Sequence, residues 1–145
     1  MNHPKLVVKY EGRIRLCFDI IERLIPDSEI YIYGKYAQYG LAYTLWDDEV
    51  SNTYSIIKGY AIDQILKHSK LAILVIVKDE RSYQEIQDLQ YQIEELVYDI
   101  SGNSFLIDIR ILNKNFYDEC VEKSYDMQRL DRYKKNLKEI KWIDK

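Results

Sequence analysis

Apolar residues along this chain follow two spacings, and the changes between them mark out the elements. Ile14, Phe18, Ile21 and Ile25 recur three or four apart, the step that gathers side chains on one face of an α-helix. The pattern predicts a helix from about Glu11 to Leu24, stopped by Pro26. The turn PDSE then leads into EIYIY, a predicted strand punctuated by Gly34. The stretch KYAQYGLAYTLW fits neither period. It reads as a short helix broken near Gly40 or as a longer irregular loop. A second helical stripe, Tyr54, Ile57, Ala61 and Ile65, follows a cap at Ser51 or Asn52 and runs to about Lys67. LAILVIV comes next, apolar on both alternations, as a central strand covered on both faces requires.

Ser82 and Glu85 have capping-box spacing, in which each side chain satisfies a backbone N–H of the other at a helix start. The predicted helix runs to about Asp99 or Ile100, with Ile86, Leu89, Ile93, Leu96 and Ile100 as its core stripe. SGNS turns into FLIDIRIL, a third predicted strand, and a final helical region starts near Asn115 with a break before Lys134. Helices and strands therefore alternate along the chain, which predicts an α/β (α+β) fold with a small mixed or parallel sheet flanked by helices. Three strands make a narrow sheet, so a fourth is expected in Lys5–Tyr10 or Leu41–Trp46. The 145 residues suit a single domain, 1–145, and no repeat or linker divides them.

Charge and cysteine usage narrow the function classes. A formal net charge of −3 argues against a general nucleic-acid binder. Cys17 and Cys120 lie far apart and match no zinc or redox spacing, which reads as two reduced thiols in a cytoplasmic protein. MNHPKLVVKYEGR lacks a signal-peptide core, and the run Leu71 to Val77 is too short to cross a bilayer as a helix, so no membrane partner is expected. From Arg129 to Lys145 there are seven basic against three acidic residues. Tyr133, Leu137, Ile140 and Trp142 interleave with them, predicting a basic C-terminal helical tail that docks on its own domain or on a partner. YGKY is no P-loop, because Glu29 stands at the upstream glycine position and Tyr36 at the Ser/Thr position. His3 and His68 belong to no ligand cluster.

The order of elements, with IYIYGKYA, SKLAILVIV and FLIDIRIL, resembles the minimal nucleotidyltransferase family, including its antitoxin-like members. The resemblance spans Ile14 to about Asn115. In that family the first strand ends in a phrase such as L-F-G-S-Y-A, the next resembles S-D-I-D-L-L-V, and a later strand carries a third acid. Gly34 matches the glycine that lets a triphosphate approach. Lys35 stands where serine is usual, and Tyr36 and Ala37 continue the phrase. Ser69 matches the serine before the acidic pair, but Lys70 and Ala72 occupy the positions of the two metal-binding aspartates. Asp108 matches the third acid, a general base or additional metal ligand in the family.

That departure bears on chemistry. Nucleotidyl transfer needs divalent metal to neutralise phosphate charge and align the reacting oxygens, and magnesium wants carboxylate oxygens. Alanine offers none, and a lysine ammonium repels the ion. The resemblance thus implies a degenerate, catalytically inactive member without a metal cofactor. It would act as a ligand-binding or regulatory, partner-binding module. Gly34, Lys35, Ser69 and Lys70 would surround a nucleotide or other phosphate-bearing ligand.

Two other readings stand beside it. Asp47 and Glu49 in LWDDEV have the one-residue separation of a metal-binding pair, though Asp48 replaces the apolar residue between them and no strong strand follows Val50. With Asp108 as catalytic carboxylate they would hold Mg2+ and transfer a nucleotide to a hydroxyl. Alternatively the chain is a structural scaffold or homo-oligomer that uses its tyrosines, fourteen in all, and its basic tail. Asp108 itself lies two residues from Arg110, on one face of a strand, as a structural ion pair or a relic of a site.

Overall fold

The computed structural model describes residues 4–37 and 64–140. Helix α1 (Pro4–Leu24) precedes β1 (Glu29–Tyr33) and β2 (Leu71–Val77). Then come α2 (Tyr83–Ser101), β3 (Ile107–Asn113), α3 (Lys114–Lys123), α4 (Tyr125–Tyr133) and the short β4 (Lys135–Asn136). The fold is α+β, a four-stranded mixed sheet in the order β3-β2-β1-β4 with helices against it. β1 runs antiparallel to both β2 and β4, whereas β2 and β3 are parallel. A parallel pair needs a crossover, and α2 supplies it.

The period-two alternation of the strands sorts the sheet into two faces. Ile30, Ile32, Leu71, Ile73, Val75, Ile107, Ile109 and Ile111 share one face and are buried. Ile14, Cys17 and Ile21 of α1 and Ile93 and Val97 of α2 complete that core. Each such aliphatic side chain contributes roughly 1.5–3 kcal/mol by leaving water. On the other face Leu74 and Ile76 are buried with Tyr117 of α3, and Val121, Met127 and Leu130 pack around them. LAILVIV is thus the central strand covered on both faces that its composition predicts, with Ala72 half-buried near its start.

EIYIY and LAILVIV become strands over their full predicted lengths. The capping box also forms: the Glu85 N–H donates to Ser82 Oγ at 3.2 Å, and the Ser82 N–H donates to Glu85 Oε1 at 2.9 Å. The expected core stripe of α2 is corrected near its end. Val97 is buried, while Leu96 is 36% and Ile100 63% exposed. Which of two adjacent apolar residues turns inward depends on the roll of the helix against the sheet, and spacing alone does not set that roll.

Two further expectations change. Lys5–Tyr10, one proposed location for a hidden strand, lies inside α1; Pro4, with its fixed φ and missing N–H, suits a first helical turn. The fourth strand comes instead from the other end of the chain. The tail is helical only to Tyr133, after which Lys135 and Asn136 pair with Ile32 and Tyr31, and Leu137–Glu139 form a 3-10 turn. The edge of β1 offers backbone partners there, and Leu137 is buried, so the tail does dock on its own domain. The final helical region begins at Lys114, beside the expected Asn115, and ends at Tyr133, before Lys134 as expected; an additional break falls at Ser124, whose Oγ accepts the Met127 N–H at 3.3 Å and caps α4.

Leu41–Trp46, most of KYAQYGLAYTLW and the start of the helix predicted from Ser51 or Asn52 lie outside the described residues. Residues 64–67 of that helix are helical, as are 35–37. Among the described residues, no helix is long and apolar enough to cross a membrane.

Candidate functional site

Strand direction brings three separate stretches of sequence to one end of the sheet. Because β1 is antiparallel to β2, and β2 parallel to β3, the C-terminal end of β1 meets the N-terminal ends of the other two. Tyr33 pairs with Ala72, and Ala72 pairs with Asp108. These three residues form a row across the sheet on the face opposite the main core. The next row along that face holds Tyr31, Leu74 and Arg110.

Gly34 stands one residue beyond the row with φ +78°. Glycine is needed there for its backbone rather than for space: an added Cβ would sit 3.9 Å from Ala72 Cβ, an ordinary contact, but the left-handed conformation is costly for any L side chain. Lys35 is exposed just after it. Tyr36 and Ala37, the rest of the phrase, belong to the core. The Tyr36 hydroxyl accepts a hydrogen bond from Arg13 Nη1 at 2.7 Å, and the same guanidinium lies 4.9 Å from the centre of the Phe105 ring.

Ser69 closes the helical turn before β2. Its hydroxyl donates to the Ile65 carbonyl at 2.7 Å, and its N–H donates to that of Leu66 at 3.2 Å. The serine of the phrase is therefore engaged with its own backbone. Lys70 follows, exposed, directly before β2. Asp108 lies 3.7 Å from Arg110 Nε, with both side chains substantially solvated. The spacing-based ion pair thus forms, as a surface contact.

The sequence marks Tyr33 only as a strand residue. Its hydroxyl oxygen is buried and has no hydrogen-bond partner among the described residues. Burial raises the ionisation of this phenol; nearby Arg110 opposes that shift and Asp108 adds to it. Tyr33 therefore lies near Asp108 and Arg110, a grouping that becomes visible only with the strand register. Asp47 and Glu49 of the alternative metal site lie outside the described residues. No group of three or more His, Cys, Asp or Glu side chains suited to a metal gathers among the described residues. Cys17 is fully buried in the core, and desolvation pushes its thiol up to about 12, so it is unsuited to thiolate chemistry.

The sheet end thus combines a glycine at a left-handed turn, an exposed lysine, an arginine already sharing its charge with one carboxylate, and a buried phenol. The Arg110 guanidinium carries more donors than Asp108 can occupy. Comparison with protein families, with curated proteins and with solved structures returned no match for the chain.

Proposed function

We propose that the chain is a nucleotidyltransferase-like binding module that holds a phosphate-bearing ligand, such as a nucleotide, without metal-dependent transfer. The ligand sits at the sheet end marked by Gly34, Lys70 and Arg110, and its occupancy regulates what the domain binds. The observation that carries this reading is the row Tyr33–Ala72–Asp108 beside Gly34. In it the methyl group of Ala72 stands directly beside the carboxylate-bearing residue of β3.

The chemistry follows from that row. A magnesium ion bridging phosphates draws on carboxylate oxygens from the protein, and at this place the neighbour of Asp108 on β2 is a methyl group. Asp108 meanwhile shares its charge with Arg110. A phosphate brought to Gly34 meets a backbone without a Cβ, the ammonium of Lys70 and the guanidinium of Arg110. The last is a planar donor suited to phosphate oxygens.

Calorimetric titration of the full chain with a nucleoside triphosphate in excess chelator tests the proposal. Binding is expected without metal and should weaken about tenfold in Lys70→Ala, the equivalent of one charge-assisted contact. No affinity, or affinity unchanged in Lys70→Ala and Arg110→Ala, rejects it. Asp108→Asn gives opposite signs for the two enzyme-related readings. A metal-free anion site binds the triphosphate as tightly or more tightly once the carboxylate is gone. Magnesium-dependent nucleotide transfer that disappears in the same variant would instead establish an active enzyme.

A further inference from the structure

The same sheet face carries a pocket at its other end, between the strands and the pair α3–α4, with a volume of ≈ 230 Å³. Ile76 and Val121 give it apolar surface, the rings of Tyr31 and Tyr117 line it, and Glu29, Asp118 and Asp131 bring carboxylates to it. Its two lysines are both engaged. Lys114 pairs with Asp118 at 3.5 Å, and Lys134 donates to Asp131 Oδ1 at 2.7 Å and to the Asp131 carbonyl at 3.2 Å. Glu29 differs. Its Oε1 accepts the Tyr31 hydroxyl at 2.6 Å, and no cation lies within ion-pair distance of it among the described residues.

The pocket already accommodates an alkylammonium group, namely the chain's own. Lys134 Nζ lies 4.6 Å from the centre of the Tyr31 ring and 5.9 Å from that of Tyr117, and its side chain is only 16% exposed. Aromatic faces attract cations. Both rings are held by their hydroxyls, Tyr31 on Glu29 and Tyr117 on Asp131, each at 2.6 Å. Burial, then the hydrogen-bonded carboxylate, drives the ionisation of both phenols well above the ordinary tyrosine range, so they remain neutral donors. Three carboxylates against two committed lysines leave one negative charge in the lining without a cationic counterpart, and that charge is on Glu29.

We propose that this pocket is a binding site for a short alkylammonium ligand, a primary amine or diamine. Its ammonium pairs with Glu29 beside Tyr31, and its methylenes lie against Ile76 and Val121. Lys134 keeps its place between the rings and Asp131, and so sets the far limit of the ligand. An anion is disfavoured by the excess of carboxylates over lysines in the lining. The inference is independent of the phosphate site at the opposite end of the face, since it uses none of the same residues.

The experiment is an amide-resolved NMR titration of the full chain with putrescine and, in parallel, with butanediol at matched ionic strength. Putrescine should give saturable shifts around Glu29, Ile76 and Val121, and butanediol none. Glu29→Gln should weaken putrescine binding about tenfold, the loss of one partly solvated charge pair. Val121→Phe fills the cavity without altering charge and should abolish saturation. Overall shift patterns report that each variant folds, and should Glu29→Gln fail to fold, Val121→Phe decides the matter. Absence of saturation by putrescine in the millimolar range, equal binding of butanediol, or binding unaffected by a folded Val121→Phe would overturn the proposal.

Discussion

The two faces of the sheet obey different rules. Under α1 and α2, the β1–β3 positions that face the core through Ile111 are aliphatic and buried, from Ile30 and Ile32 through Ile73 and Val75 to Ile109 and Ile111. Their contacts are non-directional, and no polar atom there needs a partner. The opposite face is apolar only around Leu74 and Ile76. Around that patch stand Tyr31, Tyr117, Asp108, Arg110, Asp131 and Lys134, whose placement depends on directed hydrogen bonds and ion pairs. One face therefore holds the domain together, and the other carries groups able to bind charged molecules. Aliphatic packing and the charged and phenolic groups are separated by the pleat of the same three strands.

That contrast predicts a gradient of mutational cost. Ile73→Ala, at the centre of the aliphatic face, should lower stability by about 3–4 kcal/mol. In urea unfolding it should appear as a reduced midpoint with an unchanged slope. A loss below about 1 kcal/mol would mean that this face is not the main core. Gly34→Ala should cost about 1–2 kcal/mol, because the left-handed backbone and not crowding is the obstacle. A neutral result would show that this turn readily adopts another conformation.

Tyr117→Phe should cost about 1 kcal/mol at neutral pH for the lost bond to Asp131. That cost should shrink in alkali. Burial first, and then Asp131, raises the ionisation of Tyr117 in the folded state, whereas an unfolded tyrosine ionises near pH ~10. The stabilisation is therefore complete below about pH 10 and is lost as pH rises through the folded value. Urea unfolding between neutral pH and about pH 11 should show a falling alkaline limb, shallower in the variant. Asp131 has the opposite sign. Lys134 first, then Tyr117, holds its carboxyl below the usual range, so its contribution is present above about pH 4 and fades as pH falls further. The smallest effect belongs to Asp108→Asn, within about 0.5 kcal/mol, since its ion pair with Arg110 is largely solvated. A larger loss would move Asp108 from the binding side of the comparison to the structural side.

Much of this division could be read from residues alone, and the failures share a cause. EIYIY and LAILVIV announce themselves through composition and alternation, and Ser82 with Glu85 through a four-residue motif. Each depends on neighbours a few positions away. Lys5–Tyr10, one of two places open to a fourth strand, is helical; six residues carry too little of either pattern to decide, and the polar pair Lys135–Asn136 carries no strand pattern. For the sheet end, the resemblance marks Gly34, Lys70, Ala72 and Asp108 as a set. Tyr33 carries no such mark, because nothing local distinguishes it from Tyr31.

The sequence by itself determined where the central strands and their helices lie, that β2 would be covered on both sides, and how α2 begins, since local sterics, capping and alternation act within a few residues. Only the tertiary structure decided that Ala72 stands between Tyr33 and Asp108, that Lys135 and Asn136 complete the sheet beside β1, and that Lys134 enters a pair of tyrosine rings. Those outcomes join residues tens to about a hundred positions apart. They are selected by which burial and pairing arrangement is lowest in free energy for the whole chain, a comparison that no short window of sequence contains.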